Sequence, residues 1–293
     1  MVATVVVARG LMPTRPSLKL GDLRRLLRET LPLAVATVLN TLYARIAIIF
    51  MSLAAADEAT GAFRTSYRVV EVANGVPLSL IGTTFPILAR AARDDAERLR
   101  YVLQRVLEIA LIGGVWLSLA VGLAARPVAE LLTNDPGEAD QVTSALRILA
   151  AVLAPVFLNI SWQTALRRHK ELLVANGAAI AFICALIIGL VPPYAAEGAA
   201  VAVVLAEAFL MRAYPELRPE LRLVPRVALA LAVALSAAVV PAWPELARAP
   251  VASVVYFGVL AVGGWIPSEV VGGFAGLRKR SASLPADERA SSG

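Results

Sequence analysis

Eight apolar runs, each long enough to cross a bilayer, constrain this chain more than any other feature of its sequence. They fall at residues 31–55, 61–89, 101–125, 141–165, 172–191, 197–213, 227–243 and 250–273. Each holds about 17–29 residues. At about 1.5 Å per residue this covers a hydrocarbon core of about 30 Å, with tilt in the longer ones. The runs are continuous and rich in Ala, Leu and Val instead of alternating, so they read as helices and not as barrel strands. Composition agrees. The chain is 58% hydrophobic and 17% charged, with a mean hydropathy of +0.71. A soluble domain carries about 45–50% apolar and about 25% charged residues. An ordinary soluble enzyme and a disordered chain are both disfavoured. The expected fold class is an all-α polytopic membrane protein with about eight transmembrane helices.

The charges lie between the runs. Lys and Arg number 28 against 22 Asp and Glu, a net charge of +6. The N-terminal arm carries Arg9, Arg15, Lys19, Arg24, Arg25 and Arg28; the second–third connection carries Arg90, Arg93, Arg98, Arg100 and Arg105. Arg167, Arg168 and Lys170 follow the fourth run, Arg212, Arg218, Arg222 and Arg226 the sixth, and Arg278, Lys279, Arg280 and Arg289 the eighth. The alternate loops hold only Arg126 and Arg248. Positively charged loops stay in the cytoplasm, so both termini are expected there, in the cell's inner membrane. The opposite loops are acidic and turn-rich: Ala56-Asp57-Glu58, Asn134-Asp135-Pro136-Gly137 and Pro192-Pro193-Tyr194. The basic patches suit topology and anionic headgroups. No nucleic-acid motif accompanies them, and nucleic acid is not an expected partner.

Residues 1–30 are expected to form a cytoplasmic arm, 31–213 a six-helix lobe, 227–273 two additional helices, and 274–293 a disordered cytoplasmic tail. Met1–Ala8 is apolar but too short to span and reads as the remnant of a preceding helix. The lone Cys184 excludes an internal disulfide and paired-cysteine metal sites. No metal or other cofactor is expected.

A charge at mid-bilayer costs about 2.5–3.5 kcal/mol, so a chain keeps several only if they are paired, hydrated or used. Here they cluster. With Arg64 at 0° on a wheel of about 100° per residue, Arg68 falls near 40°, Glu71 near −20°, Gly75 near 20°, Gly82 near 0° and Pro86 near 40°. Such a stripe suits a wet cavity or a close helix contact. Counting inward at about 1.5 Å per residue puts Arg45, Arg68 and Glu71 at one level, about 12–16 Å deep, and Arg147 about 9 Å deep. Internal ion pairing explains Glu71 with one arginine, but not the others. The functional reading is an anion-binding cavity, because the guanidinium fork fits phosphate or pyrophosphate. Asn74, Glu108, Asn159, Gln163 and Glu207 read as interhelical hydrogen-bond formers. Pro77, Pro86 and Pro155 are expected to interrupt their helices.

Pro32, the run Leu39-Asn40-Thr41-Leu42-Tyr43-Ala44-Arg45-Ile46, then Tyr67-Arg68-Val69-Val70-Glu71, Pro77 and Phe85-Pro86 follow one another in a recognisable order. So do Leu190-Val191-Pro192, Gly198-Ala199-Ala200-Val201-Ala202 with Glu207, and the end from Val255-Tyr256 through Glu269 to Arg278-Lys279-Arg280. Over roughly residues 22–280 this resembles the polysaccharide-exporting flippases of the multidrug/oligosaccharidyl-lipid/polysaccharide exporter superfamily. The resemblance implies an inner-membrane transporter of undecaprenyl-pyrophosphate-linked oligosaccharide, with two helical lobes around a cationic cavity. With a flippase as the leading reading, the intramembrane arginines Arg45, Arg64, Arg68 and Arg147 are expected to bind the pyrophosphate or acidic sugar, and Glu71 to be an ion-pair or coupling residue. Family members commonly have an acid two positions after the arginine of the first matched helix, where this chain has Ala47. The likeness begins at the second lobe, with two extra helices after it. The chain is therefore expected to be a truncated product, a wrongly started one, or a half that works with a partner. The alternatives are a non-transporting membrane fragment or subunit, and a membrane-embedded polysaccharide polymerase or ligase. An enzyme is not expected: the outer loops are short, and there is neither a His-Glu-x-x-His nor a Gly-x-Ser-x-Gly motif.

Overall fold

The computed structural model describes residues 20–77, 79, 96–165, 169–213, 223–240 and 243–266. All regular structure among them is helical: α1 (Leu20–Ala54), α2 (Asp57–Ala73), α3 (Ala96–Leu123), α4 (Ala125–Leu132), α5 (Pro136–Ala150), α6 (Leu153–Ala165), α7 (His169–Ala213), α8 (Val224–Ala238) and α9 (Glu245–Val262). Met1–Ala8, Gly82, Pro86 and the tail 274–293 lie outside the described residues. The arm expected up to residue 30 is helical from Leu20, continuous with the first apolar run.

Two cores hold the bundle. In the first, α1 packs along α7, and α2 and α5 close over them. Tyr43, Ile46, Ala47 and Met51 are buried on α1 at spacings of three, one and four, the stripe of one helix face. In the second, α3, α6, α8 and α9 share Leu107, Ala110, Phe157, Val227, Ala230, Tyr256 and Leu260. The two helices expected to be additional are thus tied into the lobe. The Tyr256 hydroxyl donates to the Ile112 carbonyl at 3.0 Å, and Trp116 Nε1 donates to Ser253 Oγ at 3.0 Å. Gly114 lets α3 approach α6 closely, since a Cβ there would stand 2.9 Å from Ala154 Cα.

Two breaks shape the bundle, and proline chemistry explains both. α5 and α6 form a pair bent by 44°. Pro155 lacks an N–H and its ring excludes the carbonyl four residues back, so the helix cannot run through Ala151. The chain tightens there, Ala151 and Val152 donating to Ile148 and Leu149, and the freed Ala154 amide donates to Ser118 Oγ at 3.2 Å. The second break lies inside α7, after Pro192-Pro193, where Ala195 takes φ 44°, ψ −123°. The helix doubles back on itself. Phe182 and Phe209 would be about 40 Å apart on a straight helix, yet their rings stack with centroids 4.9 Å apart. Gly198 lies so close to Leu190 that a Cβ would collide with the Leu190 carbonyl. α7 is therefore a hairpin with one limb over 169–194 and the other over 196–213.

By length and apolarity, three described helices could cross a membrane: Tyr101–Leu123, Val174–Arg212 and Glu245–Val262. A fourth is gained if the bent pair Pro136–Ala150 and Leu153–Ile160 counts as one. This is fewer than the eight runs read from the sequence, and the count is of the described residues, which leave out part of the second run and some side chains of the first. The hairpin is counted once although its two limbs are the separate runs 172–191 and 197–213. α8 is 15 residues, about 22 Å. α2 carries Arg64, Arg68 and Glu71 within 17 residues, and the rest of its run reaches beyond the described residues.

Candidate functional site

The packed face of α2 is set by Ala59, Ala62, Phe63, Ser66 and Val70, which are buried. Ser66 fixes it against α5, its hydroxyl donating to the Val142 carbonyl at 3.0 Å. On the wheel these residues centre opposite Arg64 and Arg68, so packing alone turns both arginines outward. Both are exposed and make no ion pair among the described residues. Arg45 comes from α1 to the same flank, where its Nη1 lies 2.9 Å from Glu71 Oε1. The pair is only half buried, with side-chain exposures of 56% and 33%. One face of α2 therefore carries Arg64, Arg68 and Glu71, and Arg45 of α1 reaches it at Glu71. The Glu71 charge is used on Arg45, leaving Arg64 and Arg68 without an ion pair among the described residues.

Behind this face lies a polar cluster inside the first core. Asn159 on α6 donates from Nδ2 to Glu207 Oε2, on the second limb of α7, at 2.6 Å, and both residues are buried. Tyr43 on α1 faces the same carboxylate without closing a well-formed hydrogen bond. Tyr67 lies in the field of Glu207, Glu71 and Arg45. Polar groups thus run from the open face towards the core. Asn159 and Glu207 form the interhelical contact expected of each. The sequence reading missed the two tyrosines; Tyr43 could have been found, because two residues before Arg45 is about 200° around the helix, on the packed side. Ala47, where the resembled family carries an acid, is 1% exposed inside the apolar stripe of α1. A carboxylate there would meet the apolar face of α7.

Arg147 is not in this group. It reaches a crevice walled by α3, α6, α8 and α9, shared with Arg248. Its helix α5 presents the opposite side to α2 and α7 through Val142, Ala145, Leu146 and Leu149.

The acidic loops meet at one end of the bundle. Gln141 Nε2 donates to Glu58 Oε1 at 2.7 Å, and a recess there is lined by Ala56, Glu58, Gln141 and the hairpin corner Tyr194–Glu197. Arg126 bonds Glu130 at 2.9 Å and lies 3.6 Å from Asp140 and 3.7 Å from Glu245. Its pKa is raised above the ordinary arginine value, first by the Glu130 hydrogen bond and then by the surrounding carboxylates. Among the described residues no group of His, Cys, Asp and Glu could hold a metal ion. No protein-family model matches the chain, and no curated protein matches it.

Proposed function

We propose that this chain is the cation-bearing lobe of a membrane transporter that moves lipid-linked oligosaccharide across the bilayer, by exchange between conformations and without covalent chemistry. The observation that carries the reading is the open face on which Arg45, Arg64 and Arg68 stand with Glu71. Arg64 and Arg68 lie about 10 and 16 Å along α2 from its start. Turned to lipid, each would cost about 2.5–3.5 kcal/mol. A wet cavity closed by a second lobe removes that cost, and a pyrophosphate entering it would find the guanidinium forks of Arg64 and Arg68. Arg45, held by Glu71, sets the position of the face. The order of motifs shared with the polysaccharide-exporting flippases supports the same reading, as do the apolar helices. Eight crossings, two lobes and cytoplasmic termini belong to this proposal. A structural subunit without transport is the second reading, favoured by the openness of the face on this chain.

The test is transport in proteoliposomes carrying the protein, together with any lobe that assembles with it. A lipid-linked oligosaccharide is loaded on one leaflet, and its appearance on the other is read with a membrane-impermeant glycosidase. Arg68→Ala is expected to slow the rate at least about tenfold, a loss of about 1.4 kcal/mol, at equal protein level. A rate unchanged in both Arg64→Ala and Arg68→Ala overturns the assignment.

A further inference from the structure

We propose that the crevice shared by Arg147 and Arg248 is a binding site for an anionic phospholipid, its phosphate held between the two guanidiniums and its acyl chain lying against α3 and α8. The proposal is independent of what the protein transports. It rests on the chemistry of the walls. The crevice measures about 520 Å³, within the range of about 300–1,000 Å³ usual for small ligands. Leu119 and Leu123 of α3 and Leu231 and Leu235 of α8 make it apolar, and both charged residues in its lining are arginines.

Neither arginine donates a hydrogen bond to a carboxylate among the described residues. Arg147 is exposed and makes no ion pair among the described residues. Arg248 has Glu245 Oε1 at 3.7 Å from Nη1, beyond hydrogen-bond reach, and Glu245 is also drawn towards Arg126 at 3.7 Å. Arg248 Nε is buried with no hydrogen-bond partner. A buried N–H without an acceptor is costly, although the rest of the Arg248 side chain stays partly exposed. An acceptor oxygen carrying negative charge answers that need, and phosphate accepts from two guanidinium forks at once. Ser118 does not compete, because its hydroxyl donates to Gly114 and accepts from Ala154.

Position selects a lipid over a free ion. Leu123 ends α3, and Arg248 is three residues past the start of α9, so the mouth of the crevice lies at the level of the helix ends. The leucines lead inward from it, and an inorganic anion would leave them uncovered. An amphiphile satisfies both halves of the lining.

The experiment uses the purified full chain, stripped of lipid in detergent, and follows thermal unfolding. Phosphatidylglycerol at saturating concentration is expected to raise the midpoint by about 5 °C. Phosphatidylcholine and inorganic phosphate are expected to raise it by less than about 1 °C each. The double variant Arg147→Ala/Arg248→Ala should lose the phosphatidylglycerol shift, and Arg212→Ala, at the far end of α7, should keep it. Ala151→Phe adds bulk to the crevice with both arginines left in place and is expected to abolish the shift as well, which guards against misfolding of the double variant. A phosphate shift equal to that of phosphatidylglycerol overturns the lipid assignment and leaves a simple anion site. An equal phosphatidylcholine shift, or a shift retained in both crevice variants, overturns the site.

Discussion

Asn159 with Glu207 and Arg45 with Glu71 show how burial separates two polar contacts of similar length. The first is 2.6 Å and buried, the second 2.9 Å and half exposed. An exposed ion pair contributes about 0–1 kcal/mol because water and salt screen it. A buried hydrogen bond to an acid, once broken, leaves a group that nothing else can satisfy. Asn159→Leu is therefore expected to destabilise the protein by about 1–2 kcal/mol, while Arg45→Ala costs less than about 1 kcal/mol. Glu207→Gln keeps an acceptor for Asn159 and is expected to be tolerated. Thermal unfolding in detergent checks the order; a larger loss for Arg45→Ala than for Asn159→Leu would reverse the argument. At this scale the sequence was a good guide to which residues are polar in apolar surroundings. It was a poor guide to direction. The wheel placed Arg64, Arg68 and Glu71 on one face of α2 because they share a helix. Arg147 sits on another helix whose orientation no local pattern sets, and it turned to Arg248 instead.

The hairpin in α7 is the element whose form depends most on a few residues. Pro192 and Pro193 remove two backbone donors, Ala195 takes a positive φ, and Gly198 admits the Leu190 carbonyl. Hydropathy alone reads Val174–Arg212 as one uninterrupted span of 39 residues; the proline pair and the glycine are what divide it. Their spacing was legible, as a turn between two runs, and so was an interruption at Pro155; the 44° size of the bend between α5 and α6 was not, because it depends on packing against α3, where Ser118 takes up the freed Ala154 amide. The corner makes a sharp forecast. Gly198→Ala forces the two limbs apart and is expected to cost about 1–3 kcal/mol. Gly189→Ala, on the open side with nothing within 4 Å of the added carbon, is expected to be neutral or stabilising, by up to about 1 kcal/mol. Ala195→Gly relieves a conformation that costs an alanine about 1–3 kcal/mol, and should raise the unfolding midpoint. Gly198→Ala and Gly189→Ala behaving alike in the same unfolding assay would mean that the limbs do not close as described.

For the whole molecule, the arrangement of ends decides more than the number of helices. The loops around Glu58, Asn134 and the 194–197 corner meet at one end, joined by Gln141 with Glu58 and by Arg126 with Asp140 and Glu245. The charge alternation in the sequence expects these loops on the side away from the cytoplasm. Two independent patterns, one in charge and one in packing, thus sort the same loops together. This makes orientation testable without settling every crossing. In a Cys184→Ser background, cysteine substitutions at Asp135, Glu197 and Glu245 are expected to react with a membrane-impermeant maleimide in intact cells. A substitution at Ser281 is expected to react only after permeabilisation. Because they share one end of the bundle, the first three should behave alike. The charge alternation sets Ser281 apart from them. Labelling of Asp135 without Glu197 would break the hairpin's place in the bundle. Labelling of Ser281 alongside all three would give an even number of crossings after the corner, and with it the cytoplasmic assignment of the C-terminus would fall.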